Sequence, residues 1–354
     1  MSEIIEKIAA EITLKGAIPF ARFMEIALYC PDYGFYEKEK DNVGKGGDFF
    51  TSVNVGALFG ELLAFQFAEW AGDARVRIVE AGAHDGRLAA DILGWMRGRR
   101  GELFEGLKYC IVEPSARRQE WQQETLKEFP QTVTWVPDVS PLKTASPAET
   151  IIFSNELLDA MPVHRFGWDA KRKKWFEWGV ALAGGRFAWS RLGDSDFRIP
   201  NSELEAVLPD GYTVESSPAA EKWWHEAAAV LGRGKLLTID YGFTAEEQFS
   251  PSRLNGTLRA YHRHRVTEDV LANPGGQDLT AHVNFSAIQN AGEMAGLKTE
   301  ALVSQEKFLT RIVERAWTRA DIFGEWNSQR TRQFQTLTHP EHLGRPFRVL
   351  IQSR

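Results

Sequence analysis

The sequence predicts an α/β fold in which a Rossmann-like parallel sheet carries an N-terminal helical cap and inserted antiparallel β and helical segments. Three observations predict it. Short apolar runs alternate with helical patterns, the first run ends in a glycine turn that opens a helix, and a tryptophan-rich region interrupts the alternation after the fourth run. Because parallel strands joined by helices bind ligands at their carboxyl ends, we expect the functional residues there.

The composition is that of an ordinary globular protein, with 354 residues, 43% hydrophobic and 25% charged. The formal net charge of −6 argues against a general nucleic-acid binder, because the phosphate backbone attracts basic proteins. Two cysteines are too few for a disulfide framework or a cysteine-rich metal site, so we expect no metal. The chain begins with an acidic amphipathic pattern rather than a targeting signal, and no apolar run reaches membrane-spanning length. These features predict a cytoplasmic protein without membrane insertion.

Residues 1–75 are expected to form an N-terminal cap of helices and loops. Two helical patterns come first, and a charged loop dotted with glycine then leads to Gly47, Asp48 and Thr51. An apolar helix ending near residue 72 follows. Asp48 and Thr51 stand directly before that helix, so they could cap it or could reach a bound ligand.

The stretch 76–86 predicts the central strand and its turn. β-branched residues fill its first half, a glycine pair brackets polar residues in its second half, and helical spacing follows. A strand, a glycine turn and a helix N-terminus together form a site for a nucleotide-bearing ligand. The dinucleotide fingerprint fails, because counting from Gly82 it needs glycine where His84 and Arg87 stand. What remains is one acid and two glycines, Glu80, Gly82 and Gly86.

Four further strands are predicted at 108–113, 133–138, 151–154 and 235–241, with helical patterns between them. The first three end in, or run into, acidic residues: Glu113, Asp138 and the pair Asn155-Glu156. Since the carboxyl ends of parallel strands share one edge of a sheet, we expect these side chains to lie along the same edge as Glu80.

The core of the fold is assigned to 76–163 and 216–354. Residues 164–215 mix tryptophan and phenylalanine with glycine and charged residues, which predicts an inserted β-rich substrate subdomain. Two more insertions are expected, at about 243–285 and, mostly helical, at about 306–339. The first of these holds three histidines and an aspartate: His262, His264, His282 and Asp278. Their spacing fits no standard zinc pattern, so packing or substrate-channel roles are favoured.

Ordered blocks run through nearly the whole chain: Ile18-Pro19-Phe20, Pro31-Asp32-Tyr33-Gly34-Phe35-Tyr36, Gly47-Asp48-Phe49, Val112-Glu113-Pro114-Ser115, Asn155-Glu156-x-x-Asp159-Ala160-x-Pro162-Val163, Asp240-Tyr241-Gly242 and Asp278-Leu279-Thr280-Ala281-His282-Val283-Asn284-Phe285. Glu80-x-Gly82-x-x-x-Gly86 looks like motif I of the S-adenosylmethionine (SAM) methyltransferases. The whole set resembles the MidA-type SAM-dependent methyltransferases, which include the mitochondrial complex I assembly-factor protein arginine methyltransferase. The family usually has Pro-Glu where this chain has Val53-Asn54, and glycine where it has His84.

The resemblance implies SAM as cofactor and a set of cofactor-binding residues: Gly47, Asp48, Thr51, Glu80, Gly82, Gly86, Glu113 and Asp138. A carboxylate such as Glu113 suits a ribose diol, because it can accept two hydroxyl hydrogen bonds, and Asp138 stands where an acid often accepts the adenine amino group. The alternatives are that Glu113 is a solvated strand-end acid and that Asp138 caps the loop before Pro141.

The resemblance also implies that Asn155, Glu156 and Asp159 hold an acceptor arginine, whose planar guanidinium matches carboxylates. The alternative is that Asp159 caps a helix and Glu156 pairs with an internal arginine such as Arg165. The implied function is methylation of an arginine in a partner protein, a respiratory-complex subunit by resemblance, by an enzyme that could be a homodimer and binds no nucleic acid. Methylation of a small molecule, or a SAM-binding assembly factor with little or no transfer, are the alternatives.

Overall fold

The structure is a computed structural model that describes residues 3–38, 51–72, 74–142, 149–200, 202–251, 253–262, 265–267 and 269–354. Three of the residues singled out above, Gly47, Asp48 and His264, lie outside this part of the chain. The chain divides into two compact units. The first, here called the insert unit, comprises Met1–Phe49, Leu158–Lys222 and Phe243–Ile288. The second, the sheet unit, comprises Phe50–Leu157, Trp223–Gly242 and Gln289–Arg354.

The helices are α1 (Glu3–Lys15), α2 (Phe20–Tyr29), α3 (Phe35–Lys38), α4 (Leu58–Ala71), α5 (Arg87–Arg99), α6 (Gly101–Glu105), α7 (Ala116–Thr125), α8 (Pro218–Val230), α9 (Ala245–Gln248), α10 (Phe285–Met294), α11 (Gln305–Thr318), α12 (Ala320–Phe323) and α13 (Ser328–Leu337). The strands are β1 (Ile18–Pro19), β2 (Val76–Ala81), β3 (Lys108–Val112), β4 (Val133–Val136), β5 (Glu149–Asn155), β6 (His164–Asp169), β7 (Lys174–Ala183), β8 (Arg186–Ser195), β9 (Thr213–Ser216), β10 (Gly234–Phe243), β11 (Arg259–His262), β12 (Arg265–Thr267), β13 (Asp278–Thr280), β14 (Val283–Asn284), β15 (Lys298–Ser304) and β16 (Phe347–Ser353). Short 3₁₀ helices cover Ser52–Val55, Ser140–Leu142 and Ser202–Ala206.

The sheet unit contains the predicted Rossmann-like sheet, with strand order β15-β16-β10-β5-β2-β3-β4. The strands from β10 to β4 are parallel to their neighbours, which confirms the predicted α/β fold. β16 runs antiparallel to both β10 and β15. The antiparallel edge was not predicted, because β15 is a half-exposed edge strand without a continuous apolar run.

β2 forms where the sequence predicted it, because its β-branched residues are buried on both faces of the sheet. One large core covers it, built from apolar faces of α4, α5 and α11. Aromatic rings fill much of this core, and the Phe65 and Trp95 rings meet edge to face at 6.0 Å between centroids. The Trp95 indole N–H donates to the Phe323 carbonyl at 3.2 Å, which ties α5 to the end of α12. The helical insertion expected at about 306–339 therefore contributes to the core of the sheet unit.

The insert unit contains an antiparallel sheet of order β1-β7-β6-β9, with β8 paired to β7, and a smaller sheet of order β12-β11-β13. The β-rich content predicted for 164–215 is present. Helices α1 and α2 share a core with residues of β7 and β13, such as Val180 and Leu279. The N-terminal helices and both β insertions therefore belong to one compact unit, although the sequence predicted them as separate parts. That three-part division stays a prediction.

Candidate cofactor and acceptor site

The carboxyl ends of the parallel strands lie level with one another in the sheet unit. Ala81 at the end of β2 is in register with Val112 of β3 and Ser154 of β5. The Glu113 amide donates to the Val136 carbonyl at 2.8 Å, and the Glu156 amide donates to the Ile239 carbonyl at 2.9 Å. The ladders therefore continue one residue beyond β3 and β5, and they place both acids along the edge where a nucleotide ligand is expected.

The turn after β2 has left-handed backbone at Gly82, His84 and Gly86, with φ of 75°, 46° and 85°. A Cβ added to Gly82 would lie 2.9 Å from the Leu157 Cδ1, so the Leu157 side chain would have to move, and the positive φ also favours glycine there. His84 occupies the position where the MidA-type family usually has glycine, and its φ explains that preference. A non-glycine residue in this conformation costs about 1–2 kcal/mol. The turn is nevertheless closed, since the Gly86 amide donates to the Ala83 carbonyl at 2.7 Å.

We expect His84→Gly to raise the free energy of unfolding by up to about 1 kcal/mol, because glycine adopts the left-handed turn without the steric penalty. Affinity for S-adenosylhomocysteine should stay within about twofold of wild type, since the backbone turn is unchanged. Chemical denaturation and calorimetry measure the two quantities. Ala83→Gly is the matched control, because Ala83 lies in the same turn outside the left-handed region and should lose stability. Equal destabilisation by both variants would show that the His84 conformation carries no strain.

Glu80 is buried at the end of β2, and its Oε2 accepts a hydrogen bond from the Tyr109 hydroxyl at 2.6 Å. Burial raises the pKa of Glu80 from 4.5 to about 7, although the Tyr109 hydrogen bond partly opposes this. In the described structure, the Glu80 carboxylate therefore contacts Tyr109 on the neighbouring strand β3. Its predicted role in holding the methionine part of SAM stays a prediction.

The raised pKa of Glu80 makes stability depend on pH. Below about pH 4.5 the carboxyl is protonated in both states, whereas between about pH 4.5 and 7 only the unfolded chain releases the proton, so stability falls as pH rises. Glu80→Gln keeps an acceptor for Tyr109 and removes the titration. Relative to wild type, this variant should gain on the order of 2–3 kcal/mol between pH 4.5 and 8. Urea unfolding at both pH values checks this; a stability difference independent of pH would rule out the shifted carboxyl.

Glu113 lies in a network of donors from the start of α7. Its Oε1 accepts from the Ser115 amide at 2.9 Å and from the Arg118 Nε at 3.0 Å, and its Oε2 accepts from the Gln122 Nε2 at 3.1 Å. Oε2 carries fewer of these bonds, so it retains capacity for one ribose hydroxyl. The sequence alternative of a solvated acid does not hold, because Glu113 is only 2% exposed.

Gln122 links this network to the glycine turn. Besides donating to Glu113, its Nε2 donates to the His84 carbonyl at 3.0 Å, and its Oε1 accepts from the Trp135 indole at 2.8 Å. The residue is fully buried although α7 is a very polar helix. Gln122 and Arg118 were not predicted from the sequence, because polar side chains in a polar helix give no periodic signal. Their spacing after Glu113, on a helix that starts at the Ser115 cap, is the signal that could have found them.

Asp138 and Thr51 make local contacts in the described part of the chain. Asp138 is exposed and accepts from both the amide and the hydroxyl of Ser140, and these hydrogen bonds lower its pKa. This is the loop-capping arrangement that the sequence left as the alternative. Thr51 is the N-cap of the short 3₁₀ helix, and the Oδ1 of Asn54, which departs from the family pattern, accepts from the Thr51 amide at 3.2 Å and from its hydroxyl at 2.6 Å. Contact of Asp138 or Thr51 with a cofactor stays a prediction.

The turn after β5 has a constrained geometry. Glu156 has φ of 52°, and its Oε1 accepts from the Asn155 Nδ2 at 3.1 Å. The Asn155 Oδ1 is buried and has no hydrogen-bond partner among the residues that the structure describes. A buried amide oxygen without a partner is costly, so a donor from a bound molecule or from residues outside the described part of the chain is expected to satisfy it.

Asp240, in the second half of β10, forms a hydrogen bond with the backbone of this turn. Its Oδ2 accepts from the Leu157 amide at 3.1 Å and its Oδ1 accepts from the Tyr241 amide at 2.8 Å. Asp240 is fully buried. Asp240 belongs to a block that carries the family resemblance, but its role could not be predicted, because its partner, the Leu157 amide, lies 83 residues earlier in the chain.

Asp159 belongs to the insert unit, where it is buried and its carbonyl accepts from the Ala281 amide at 2.9 Å. The first described element after Asp159 is the strand β6, so Asp159 does not cap a helix. Arg165, the alternative partner for Glu156, instead lies 3.5 Å from the Glu215 carboxylate and donates to the Asn255 carbonyl at 3.1 Å. Arg165 therefore has a carboxylate neighbour of its own, Glu215.

Comparison with known proteins identifies the family. Residues 58–303 match the family described as "Putative S-adenosyl-L-methionine-dependent methyltransferase". The chain belongs to this methyltransferase family. A Burkholderia thailandensis protein of the same kind, solved with S-adenosylhomocysteine bound, is 31% identical, with a TM-score of 0.82, and the alignment covers 99% of this chain and 92% of that one. The MidA-type resemblance, the fold and SAM as cofactor are therefore confirmed, and the protein is a SAM-dependent methyltransferase.

Named relatives extend the comparison. A Drosophila melanogaster protein named protein arginine methyltransferase NDUFAF7 homologue, mitochondrial, is 28% identical over 98% of this chain and 84% of its own length. A Danio rerio protein named protein arginine methyltransferase NDUFAF7, mitochondrial, is 27% identical over 97% of this chain and 85% of its own length. These names contradict the predicted cytoplasmic location, which is wrong because the relatives are mitochondrial proteins.

The residues along the carboxyl edge fit SAM. The glycine turn permits close backbone approach, Glu113 retains acceptor capacity, and the buried Asn155 Oδ1 lacks a partner within the described chain. Among the described residues, no group of histidine, cysteine, aspartate and glutamate is arranged to hold a metal. None of the described helices is both long and apolar enough to cross a membrane.

Proposed function

We propose that this methyltransferase transfers the methyl group of SAM to an arginine side chain of a partner protein. The observation that carries the proposal is the turn after β5, where Glu156 has left-handed backbone and the neighbouring Asn155 Oδ1 has no hydrogen-bond partner among the described residues. The names of the Drosophila and zebrafish relatives support arginine as acceptor and a protein as substrate. The alternatives of a small-molecule substrate and of an inactive assembly factor are outcomes of the test below.

The chemistry of arginine suits this turn. A guanidinium presents N–H groups in a planar fork that a carboxylate accepts in pairs, whereas an ammonium is a point charge. Glu156 would accept two such N–H groups, and the Asn155 Oδ1 would accept a third. Held this way, the guanidinium can present one nitrogen in a fixed direction, so positioning contributes to the rate.

The SAM cofactor supplies an electrophilic methyl group when it is bound. The residues of this chain then act on the acceptor: Glu156 orients it and stabilises its positive charge, and a carboxylate can receive the proton that the methylated nitrogen loses. No strong base is required beforehand. Asp240 maintains the left-handed conformation of the turn through the Leu157 amide, and such strain is typical of functional sites. Asp159 remains a predicted acceptor-binding residue on the following segment.

Incubation of the protein with methyl-labelled SAM and a lysate of its own organism tests the proposal. We expect at least one protein band to take up label, and excess S-adenosylhomocysteine should abolish the labelling. Label confined to the small-molecule fraction would favour the small-molecule alternative. No label, despite measurable S-adenosylhomocysteine binding, would favour the assembly-factor alternative. The closed turn around His84 argues against loss of the cofactor site.

The resemblance to MidA-type enzymes supports a respiratory-complex subunit as the acceptor, and we propose that class of partner. Mass spectrometry of the labelled band identifies the protein. A homodimer is also proposed, and sedimentation at several protein concentrations tests it; a monomer mass at every concentration would exclude it.

A further inference from the structure

Gln305 is a buried polar residue that lies at the carboxyl edge of the parallel sheet. It is the first residue of α11 and directly follows Ser304, the last residue of β15. Ser304 pairs with Arg348 of β16, and Arg348 pairs in turn with Asp240 of β10. Asp240 is the residue that contacts the turn after β5. The register therefore places Gln305 at the edge of the sheet where the cofactor is expected.

The side-chain amide of Gln305 is fully buried and joins three segments of the chain. Its Nε2 donates to the Leu337 carbonyl at 3.0 Å and to the Leu343 carbonyl at 3.1 Å. Its Oε1 accepts from the Ser52 hydroxyl at 3.2 Å. Because backbone carbonyls can only accept hydrogen bonds, the amide nitrogen must face them, and the amide oxygen is thereby directed towards Ser52.

Ser52 is also fully buried, and it begins the 3₁₀ helix whose N-cap is Thr51, a residue for which contact with the cofactor is predicted. The other end of this short helix meets α13. There the Gln333 side chain occupies the space that a Cβ on Gly56 would need, and Gly56 has φ of 138°. Helices α11 and α13 therefore contact both ends of the segment 51–56.

The segment 51–56 leads into α4 beside the helix that the glycine turn opens. Gly60 lies in the first turn of α4, and a Cβ added to it would lie 2.5 Å from the Asp91 Cβ of α5. The N-cap of α5 is Gly86, the last residue of the glycine turn. The segment thus enters α4 at the end of the sheet unit where α5 begins, which is the end expected to bind a nucleotide ligand.

A hydrogen bond between two fully buried side chains constrains both of them, because loss of either partner leaves the other unsatisfied away from water. We infer that Gln305 is a positioning residue for SAM, which acts through Ser52 to fix the segment that begins at Thr51. A cofactor that meets a segment already fixed pays less conformational entropy on binding. The inference rests on the predicted contact between this segment and SAM, and it is independent of which acceptor is methylated.

Calorimetry of S-adenosylhomocysteine with Gln305→Met and Gln352→Met tests the inference. Methionine keeps the length of the side chain but cannot donate to carbonyl groups. Gln352 is the matched control, because it is also fully buried with three hydrogen bonds. Its Oε1 accepts from the Trp224 indole at 2.8 Å, and its Nε2 donates to the Gln289 carbonyl and the Thr299 hydroxyl, both at 2.9 Å. It lies beside the first residues of β10, at the opposite edge of the sheet.

Both glutamine variants should unfold at lower temperature than wild type, because each loses buried hydrogen bonds. Only Gln305→Met should weaken S-adenosylhomocysteine binding, by about tenfold, whereas Gln352→Met should stay within about twofold of wild type. Ser52→Ala removes one hydroxyl and should weaken binding by about threefold or more. The double variant should bind within about twofold of Gln305→Met alone, since both changes break the same hydrogen bond.

Wild-type affinity in a folded Gln305→Met or Ser52→Ala protein would overturn the inference. Equal weakening by Gln352→Met would also overturn it, because affinity would then follow overall stability rather than the position of the segment. Additive losses in the double variant would show that Gln305 does not act through Ser52. Ser52→Ala decides the question by itself if Gln305→Met does not fold. None of these measurements involves a methyl acceptor, so a negative result leaves the proposed arginine acceptor untouched.

Discussion

Glu156→Gln is expected to slow methyl transfer to the partner protein by roughly 10²–10³-fold. Glutamine preserves the shape of the side chain and removes the negative charge, so the guanidinium loses both its paired acceptor and the stabilisation of its charge. Affinity for SAM should stay within about threefold of wild type, because the adenosine is assigned to residues after β3 and β4. Single-turnover transfer of labelled methyl, together with calorimetry of S-adenosylhomocysteine, separates these two quantities.

Glu149→Gln is the matched control for this experiment. Glu149 is the first residue of the same strand, at its opposite end, where its carboxylate pairs with the exposed Arg233 at 3.0 Å. Removal of that charge should leave the transfer rate near the wild-type value, since surface ion pairs contribute little. A Glu156→Gln protein that transfers methyl at the wild-type rate would remove Glu156 from the acceptor site.

Glu113→Ala is expected to weaken S-adenosylhomocysteine binding by about 1–3 kcal/mol, or roughly 5–150-fold. The variant removes the acceptor for a ribose hydroxyl and also leaves the Arg118 guanidinium without its carboxylate partner. Because Gln122 joins Glu113 to the His84 carbonyl, the glycine turn should also lose support. Calorimetry gives the affinity, and thermal unfolding reports whether the variant remains folded.

Two further variants make the Glu113 experiment decisive. Glu128→Ala removes an exposed acid beyond the same helix, and affinity should be unchanged. Glu113→Gln keeps an acceptor oxygen and should fold even if Glu113→Ala does not, with an intermediate affinity. Wild-type affinity in a folded Glu113→Ala protein would be incompatible with ribose binding at this residue.

The sequence was sufficient for the parts of the fold that depend on local patterns. The β-branched run at β2, its glycine turn and the acids after β3 and β5 predicted the parallel sheet, and they define the edge where we expect SAM to bind. Glu156 could be named because it directly follows a strand. Its left-handed backbone could not be predicted, since that conformation depends on the contact between the Leu157 amide and Asp240 on another strand.

Residues whose contacts lie far apart in sequence could not be predicted. Gln122 is buried in a polar helix and meets the glycine turn 38 positions earlier in the chain. The predicted cytoplasmic location is wrong for another reason. It was based on composition and on the lack of a recognised targeting pattern, whereas the relatives are named as mitochondrial proteins.

The identity of the methylated residue tests the central claim most directly. After transfer from methyl-labelled SAM, the labelled protein band is hydrolysed to amino acids and the labelled species is separated by chromatography. The account predicts that the label elutes as methylarginine, because the turn formed by Asn155 and Glu156 offers acceptors for a planar guanidinium. Label that elutes as methyllysine, or as any residue other than arginine, would contradict it.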